Sequence, residues 1–376
     1  MPLHDVGYRP WRGRVATGSA AGVIALTGIK LAWKSRWLRR AVLFAWTPGI
    51  VFAFAFSAFE QAVEDGLLGP MRPRLRLDQA IDNIGALGTV IANALGGRPS
   101  ADGPTTDELR HIVWSRLLLA FMRAPQALLL AIVVGLVAPA LVSRDLRAKA
   151  WLVYFTRPVR EIDYIVGKLV VLAMLVAAIT MLPALALWVL GVLVSPSLQV
   201  VLTTWDLPLR IVVSALTLAL PTVLMALAYS SLTLESRIAS FAWFATWGAC
   251  WVAHGALTTA DMMAAEAVDR VEASAYSTAM PLDDDLEQRS FPGRALPRRR
   301  PPPEPLQWLR RAGGIDARPD RWAWLSPYHA LGVVQAAVFG IERRPDVIIP
   351  PVLSLSVLSL VAGALLVNRV GAPARV

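Results

Sequence analysis

Cysteine is nearly missing from this chain. Cys250 is the only one in 376 residues, so no disulfide scaffold and no multi-cysteine metal or iron–sulfur centre can be built. Histidine is scarce as well, with His4, His111, His254 and His329 scattered along the sequence, which leaves little for metal chemistry. Charged residues make up 17%, against about 25% in a soluble domain. The H-E-x-x-H pair of a zinc protease is absent, and so is the G-x-S-x-G elbow of a serine hydrolase. No G-x-x-x-x-G-K-[ST] loop occurs either: Gly167-Lys168 lacks the upstream glycine and is followed by Leu169. Cradling a nucleotide phosphate needs that run of free backbone N–H groups and a hydroxyl on magnesium. ATP hydrolysis by this chain is therefore not expected.

What is present in excess is apolar sequence. The hydrophobic set reaches 56% and the mean hydropathy is +0.52. About 20 apolar residues cross a hydrocarbon core as a helix, and six stretches qualify, at about 41–59, 124–142, 165–194, 208–230, 238–260 and 347–367. This predicts an all-α, polytopic membrane protein rather than a soluble enzyme. No apolar signal region precedes 41–59, so that stretch is expected to be a retained helix. Pro48, Pro139, Pro183 and Pro221 fall inside these runs. Bundled membrane helices tolerate such prolines when neighbouring groups satisfy the freed carbonyl.

Charge sets the expected orientation. Residues 1–40, 143–168, 231–237 and the tail from 368 carry +7, +3, 0 and +2, whereas 60–116, 195–210 and 261–346 carry −2, 0 and −1. Basic residues gather in short cytoplasmic loops, which predicts both termini inside. The basic balance thus reports topology, not nucleic-acid binding, because no soluble basic domain with interleaved aromatics exists here.

Four regions are expected: a cytoplasmic segment 1–40, helices one to five over 41–260, an extracytoplasmic loop 261–346, and a last helix with a short tail over 347–376. Within 23–40, Ile29, Trp33 and Trp37 recur at helical spacing, as in a helix lying along headgroups, but Arg36 and Arg40 fall near the same face and a juxtamembrane basic anchor is the plainer reading. Thr105 and Glu108 have capping-box spacing and predict a helix feeding into the second span. The 261–346 loop holds an acidic cluster (Asp283, Asp284, Asp285, Glu287) and the run PRRRPPPEP at 297–305, which cannot build a core. Residues 324–340 read as an interfacial or re-entrant helix. No convincing internal repeat is present.

The most informative stretch is 143–168, SRDLRAKAWLVYFTRPVREIDYIVGK. Asp145 is placed to cap a short helix over 146–155, which Pro158 would stop. Arg147, Lys149, Trp151, Tyr154 and Phe155 give that helix charge and an aromatic end, a suitable knob for a soluble partner's groove. The same loop resembles the permease subunits of ABC-2 type transporters, whose first cytoplasmic loop has the form D-x-x-x-K, then aromatic-x-R-P, then G-K. The matching residues are Asp145, Lys149, Phe155, Arg157, Pro158, Gly167 and Lys168. The six-span layout is also similar.

The resemblance implies a six-helix permease bundle working as a homodimer or heterodimer, and the Ala- and Arg-rich composition without a targeting peptide suggests a bacterial plasma membrane. It implies that about 145–158 is a coupling helix seated on a separate ABC ATP-binding subunit, which would carry the ATP and magnesium. No cofactor or metal is expected on this chain itself. Export is implied by the family alone.

The remaining candidate residues carry weaker signals. Glu235 could make a second contact with the ATPase. Trp243, Trp247 and Trp251 make an i, i+4, i+8 stripe in the fifth run, with a packing ridge as the plainer reading and a substrate path as the sharper one; His254, deepest in that run, reads as a hydrogen-bonded packing residue, with a proton relay or a place on that path as the alternative. Arg123, Arg210 and Asp261 lie near span ends, where snorkelling suffices. GIDAR at 314–318 matches part of a lipid-headgroup transferase motif, yet the paired aspartates that would hold its metal do not follow. Two other classes are also compatible with the sequence, a non-transporting anchor that recruits an ATPase and a membrane enzyme of unrecognised type.

Overall fold

The computed structural model describes residues 19–68, 84–96, 105–123, 127–149, 160–279, 308–309 and 321–371. Among them every regular element is helical and none is a strand. The principal helices are α1 (Ala20–Trp33), α2 (Arg36–Glu64), α3 (Ile84–Ala94), α4 (Thr106–Phe121) and α5 (Ala127–Arg147). After them come α6 (Glu161–Val194), which contains a π turn at Ala177–Met181, α7 (Asp206–Leu232), α8 (Ser236–Ala279), α9 (Pro327–Val338) and α10 (Pro345–Gly371).

Five of these are long and apolar enough to cross a membrane: α2, α5, α6, α7 and α10. The expected fifth span, 238–260, is helical but lies inside the 44-residue α8, which is not among the five. Its sequence explains the difference. Ser240, Thr246, His254, Thr258 and Thr259 interrupt the apolar run, and Asp261 follows at once. The expected single helix over 23–40 is also corrected. It breaks at Lys34–Ser35, where the Ser35 hydroxyl accepts from the Leu38 N–H at 3.4 Å and starts α2. Trp33 and Trp37 therefore sit on two helices, not one stripe.

Several local expectations hold. At the start of α4 the Thr105 hydroxyl accepts from the Glu108 N–H, and the Glu108 carboxylate accepts from the Thr105 N–H at 2.8 Å. Two prolines inside helices show how the freed carbonyl is satisfied. Pro48 cannot donate to Phe44, whose carbonyl instead accepts from the Thr47 hydroxyl at 2.7 Å. Pro139 likewise frees the Gly135 carbonyl, which accepts from Ser240 Oγ of α8 at 3.0 Å. The second case ties α5 to α8.

Helix α3 lies outside the six expected runs. It packs on α2 through small residues, and a Cβ at Gly88 would collide with the Ala58 carbonyl and lie 2.8 Å from Ala62 Cβ. Only a residue without a side chain allows the two backbones so close.

The core divides into two clusters. One joins the C-terminal half of α2 to α3, α4 and the second half of α6, with Phe56, Phe59, Trp114, Leu117 and Phe121 at its centre. The other joins α5 to the first half of α6, to α7 and to Trp243 of α8. A buried ion pair pins the first cluster. Glu60, with no side-chain exposure, accepts from Arg110 Nε at 3.0 Å, from Trp114 Nε1 at 2.9 Å and from Ser195 Oγ at 3.1 Å. Its four donors come from α4 and from the end of α6, so one carboxylate holds three helices.

Candidate functional site at the head of helix α6

Apolar residues of α5 (Leu130, Val133, Val134, Ala138, Val142) bury against α6, α7 and α8 and carry the helix on to Arg147. Asp145 is consequently in the last turn of α5, not at the start of a new helix as its spacing suggested. The chain leaves the helix through Ala148 and Lys149, and Lys149 takes a left-handed φ of 50°. That conformation terminates helices and is uncommon outside glycine. Helix α6 then begins earlier than expected, with Arg160 at its N-cap and its N–H donating to Asp163 at 3.2 Å.

Between these two ends the side chains converge. Lys168 Nζ lies 2.8 Å from Asp145 Oδ2, and the Tyr164 hydroxyl donates to the same oxygen at 2.9 Å. The Lys168 ammonium also sits 5.4 Å from the centre of the Tyr164 ring. With side-chain exposures of 11% for Lys168 and 24% for Asp145, the pair is largely shielded from water, which strengthens it. Tyr164 and Lys168 share a face of α6 at i, i+4 spacing, and Asp145 lies 19 and 23 residues upstream of them, too far for spacing alone to predict the contact.

The same end of α5 is anchored to α7. Ser143 Oγ donates to the Ser230 carbonyl at 2.7 Å, and Ser230 Oγ donates to the Pro139 carbonyl at 2.8 Å. Beside it Arg147 and Glu235 lie 3.6 Å apart, both well exposed, so Glu235 is brought next to the end of α5. An exposed pair of that kind contributes about 0–1 kcal/mol and leaves both groups available to a partner.

Gly167 has a separate role in the packing. A Cβ there would lie 2.7–2.8 Å from the Ile24 side chain and 3.1 Å from the Ala21 carbonyl of α1. The glycine is thus the seat of α1 on α6, directly next to Lys168. Trp151, Tyr154, Phe155, Arg157 and Pro158 lie outside the described residues, as do the acidic cluster at 283–287, the 297–305 run and the 314–318 motif.

The stripe on α8 faces two neighbours. Trp243 is buried, and its indole Nε1 donates to the Ala131 carbonyl of α5 at 2.9 Å over the bare backbone of Gly135. Trp247 lies 5.4 Å from the Trp243 ring. Farther along, Trp251 stacks on Tyr328 and His254 stacks on His329, with ring centres 6.1 and 3.5 Å apart, so this end meets α9. Arg123 and Arg210 also reach α9: the Arg123 carbonyl accepts from the Tyr328 hydroxyl, and Arg210 reaches the Val338 carbonyl while pairing with Asp206 at 2.8 Å. Asp261 accepts from Trp322 Nε1 at 2.7 Å.

Among the described residues no group of three or more His, Cys, Asp or Glu is placed to hold a metal ion. Compared with protein-family models, with curated proteins and with solved structures, the chain matches none.

Proposed function

We propose that this chain is the membrane-embedded permease subunit of an ABC-2 type exporter, driven by a separate ATP-binding subunit. The observation that supports it best is the Asp145–Lys168–Tyr164 cluster. It ties α5 to α6 within the 143–168 stretch, whose sequence resembles the family's coupling loop, and both helices are long enough to cross a membrane. A force applied to that segment would reach α5 and α6 together, instead of being dissipated in a hinge. Ser143–Ser230 would pass it to α7, and Gly167 would pass it to α1.

In this reading the chain is a multi-pass protein of a bacterial plasma membrane, with both termini cytoplasmic, and two copies or two related permeases form the path. ATP-driven closure of the ATPase pair pushes the coupling segment and tilts α5 and α6. A transported molecule must bind the two resulting states differently, so its contacts belong between protomers. Glu235, next to Arg147, is the second ATPase contact.

The test is purification of the tagged chain from its host in mild detergent, with mass spectrometry of the proteins it brings along. Arg157→Glu and Lys149→Glu variants run beside it. An ATPase with a phosphate-binding loop should accompany the wild type and be depleted from the variants. Absence of any ATPase, under conditions that keep other membrane complexes whole, refutes the proposal.

A further inference from the structure

From the charge and exposure around residues 30–40, we infer that the elbow between α1 and α2 is a binding surface for phospholipids with net negative headgroups. Lys30, Lys34, Arg36, Arg39 and Arg40 are all exposed, and none forms an ion pair among the described residues. No acidic residue occurs from 19 through 59. Five cations within 11 residues therefore have no counter-charge on their own stretch of chain.

Three of them stand where a helix least tolerates them. Arg36, Arg39 and Arg40 occupy the first turn and a half of α2, and no acidic residue accompanies them there. The backbone dipole already makes that end positive. An anion at the elbow would offset both the arginines and the dipole, as phosphate does at other helix N-termini.

The apolar half of the same surface selects the kind of anion. Leu31, Trp33 and Trp37 are exposed at the elbow, Trp37 to 79%. The earlier turns of α1 are occupied, with Ile24 against Gly167 and Gly28 against Val171 of α6. The patch lies at the start of α2, a helix long and apolar enough to cross a membrane, so its indoles and its cations fall together where headgroups meet acyl chains. A phospholipid satisfies both, because its phosphate takes the cations while its glycerol and upper acyl region take the tryptophans. Tryptophan prefers that depth, and clustered Lys and Arg beside a spanning helix recognise anionic lipid. Such binding needs α2 to cross a membrane but is independent of transport and of any ATPase.

The test uses the full chain in nanodiscs of phosphatidylcholine containing a small fraction of phosphatidylglycerol. Lipids retained through detergent exchange are counted by native mass spectrometry. Wild type should enrich phosphatidylglycerol about tenfold over its share. A variant with Lys30→Gln, Lys34→Gln, Arg36→Gln, Arg39→Gln and Arg40→Gln should lose the enrichment, and Lys30→Arg with Lys34→Arg should keep it. Equal retention of the two lipids by wild type overturns the inference. So does undiminished enrichment in a Gln variant of unchanged helix content. Should the Gln variant not insert, wild type alone decides the matter. Enrichment that collapses between 0.1 and about 1 M salt supports charge recognition, because the Debye length shrinks to about 3 Å, and enrichment indifferent to salt overturns it.

Discussion

Replacing Glu60 by glutamine tests whether the buried ion pair holds α2, α4 and α6 together. The carboxylate has no exposure, Arg110 has 5%, and four donors converge on its two oxygens. An amide in that place loses the charge and turns its own NH2 toward N–H donors. Breaking one partner of a buried pair costs about 3–5 kcal/mol. The lower end applies, because Arg110 keeps Asp107 on Nη1 at 3.0 Å and Asp107 is more than half exposed. About 3 kcal/mol is therefore expected, measured by unfolding in mixed micelles followed by circular dichroism. The double variant Glu60→Leu with Arg110→Met removes both charges and should recover part of that loss, because the Trp114 N–H and the Ser195 hydroxyl stay without their acceptor. A loss below about 1 kcal/mol for Glu60→Gln, the range of exposed pairs, would refute the assignment of the pair as a buried clamp.

Three further outcomes are expected. Gly167→Leu should release α1 from α6, seen as faster trypsin cleavage at Lys30 and Lys34, and Ile24→Ala in the same chain should restore protection by vacating the space. Ser240→Ala leaves the Gly135 carbonyl without its donor and should cost roughly 1–3 kcal/mol in a detergent melt; Ser359→Ala, whose hydroxyl bonds only to Leu355 of its own helix, should be near neutral. At the turn before α10 the Glu342 carboxyl is held down to about 2, chiefly by the Arg344 guanidinium, which outweighs the opposing effect of burial, with smaller help from the Arg344 and Arg343 N–H groups. A depressed value means that its stabilising contribution is complete above the ordinary 4.5 and is lost as pH falls through about 2. The difference in melting temperature between wild type and Glu342→Gln should accordingly be flat above pH 4.5 and shrink below it.

The capping box at Thr105 and Glu108 was legible because both partners lie within one turn, where spacing dictates contact. The same holds for the long apolar runs, whose composition alone makes them helices of membrane-crossing length in five cases. Asp145 shows where such reading stops. Its side chain suits a helix start, yet burial of α5 against its neighbours extends the helix past it and gives the aspartate to Lys168 and Tyr164 instead. Helix α3 is hidden for a related reason: alanine and glycine carry a weak periodic signal, and their meaning appears only once Gly88 meets the Ala58 carbonyl.

By itself the sequence determined what depends on composition and near neighbours. Long apolar helices, the poverty of cysteine and histidine, the cationic stretch before α2 and the loop pattern at 143–168 are all of that kind. Only the tertiary structure decided the pairings across distance: Glu60 with Arg110, Asp145 with Lys168, Ser240 with Gly135 and Gly167 with Ile24. The physical reason is that a buried polar group or a bare glycine is satisfied by whichever surface packing brings to it. Packing is a property of the whole set of helices, and no window of sequence contains it.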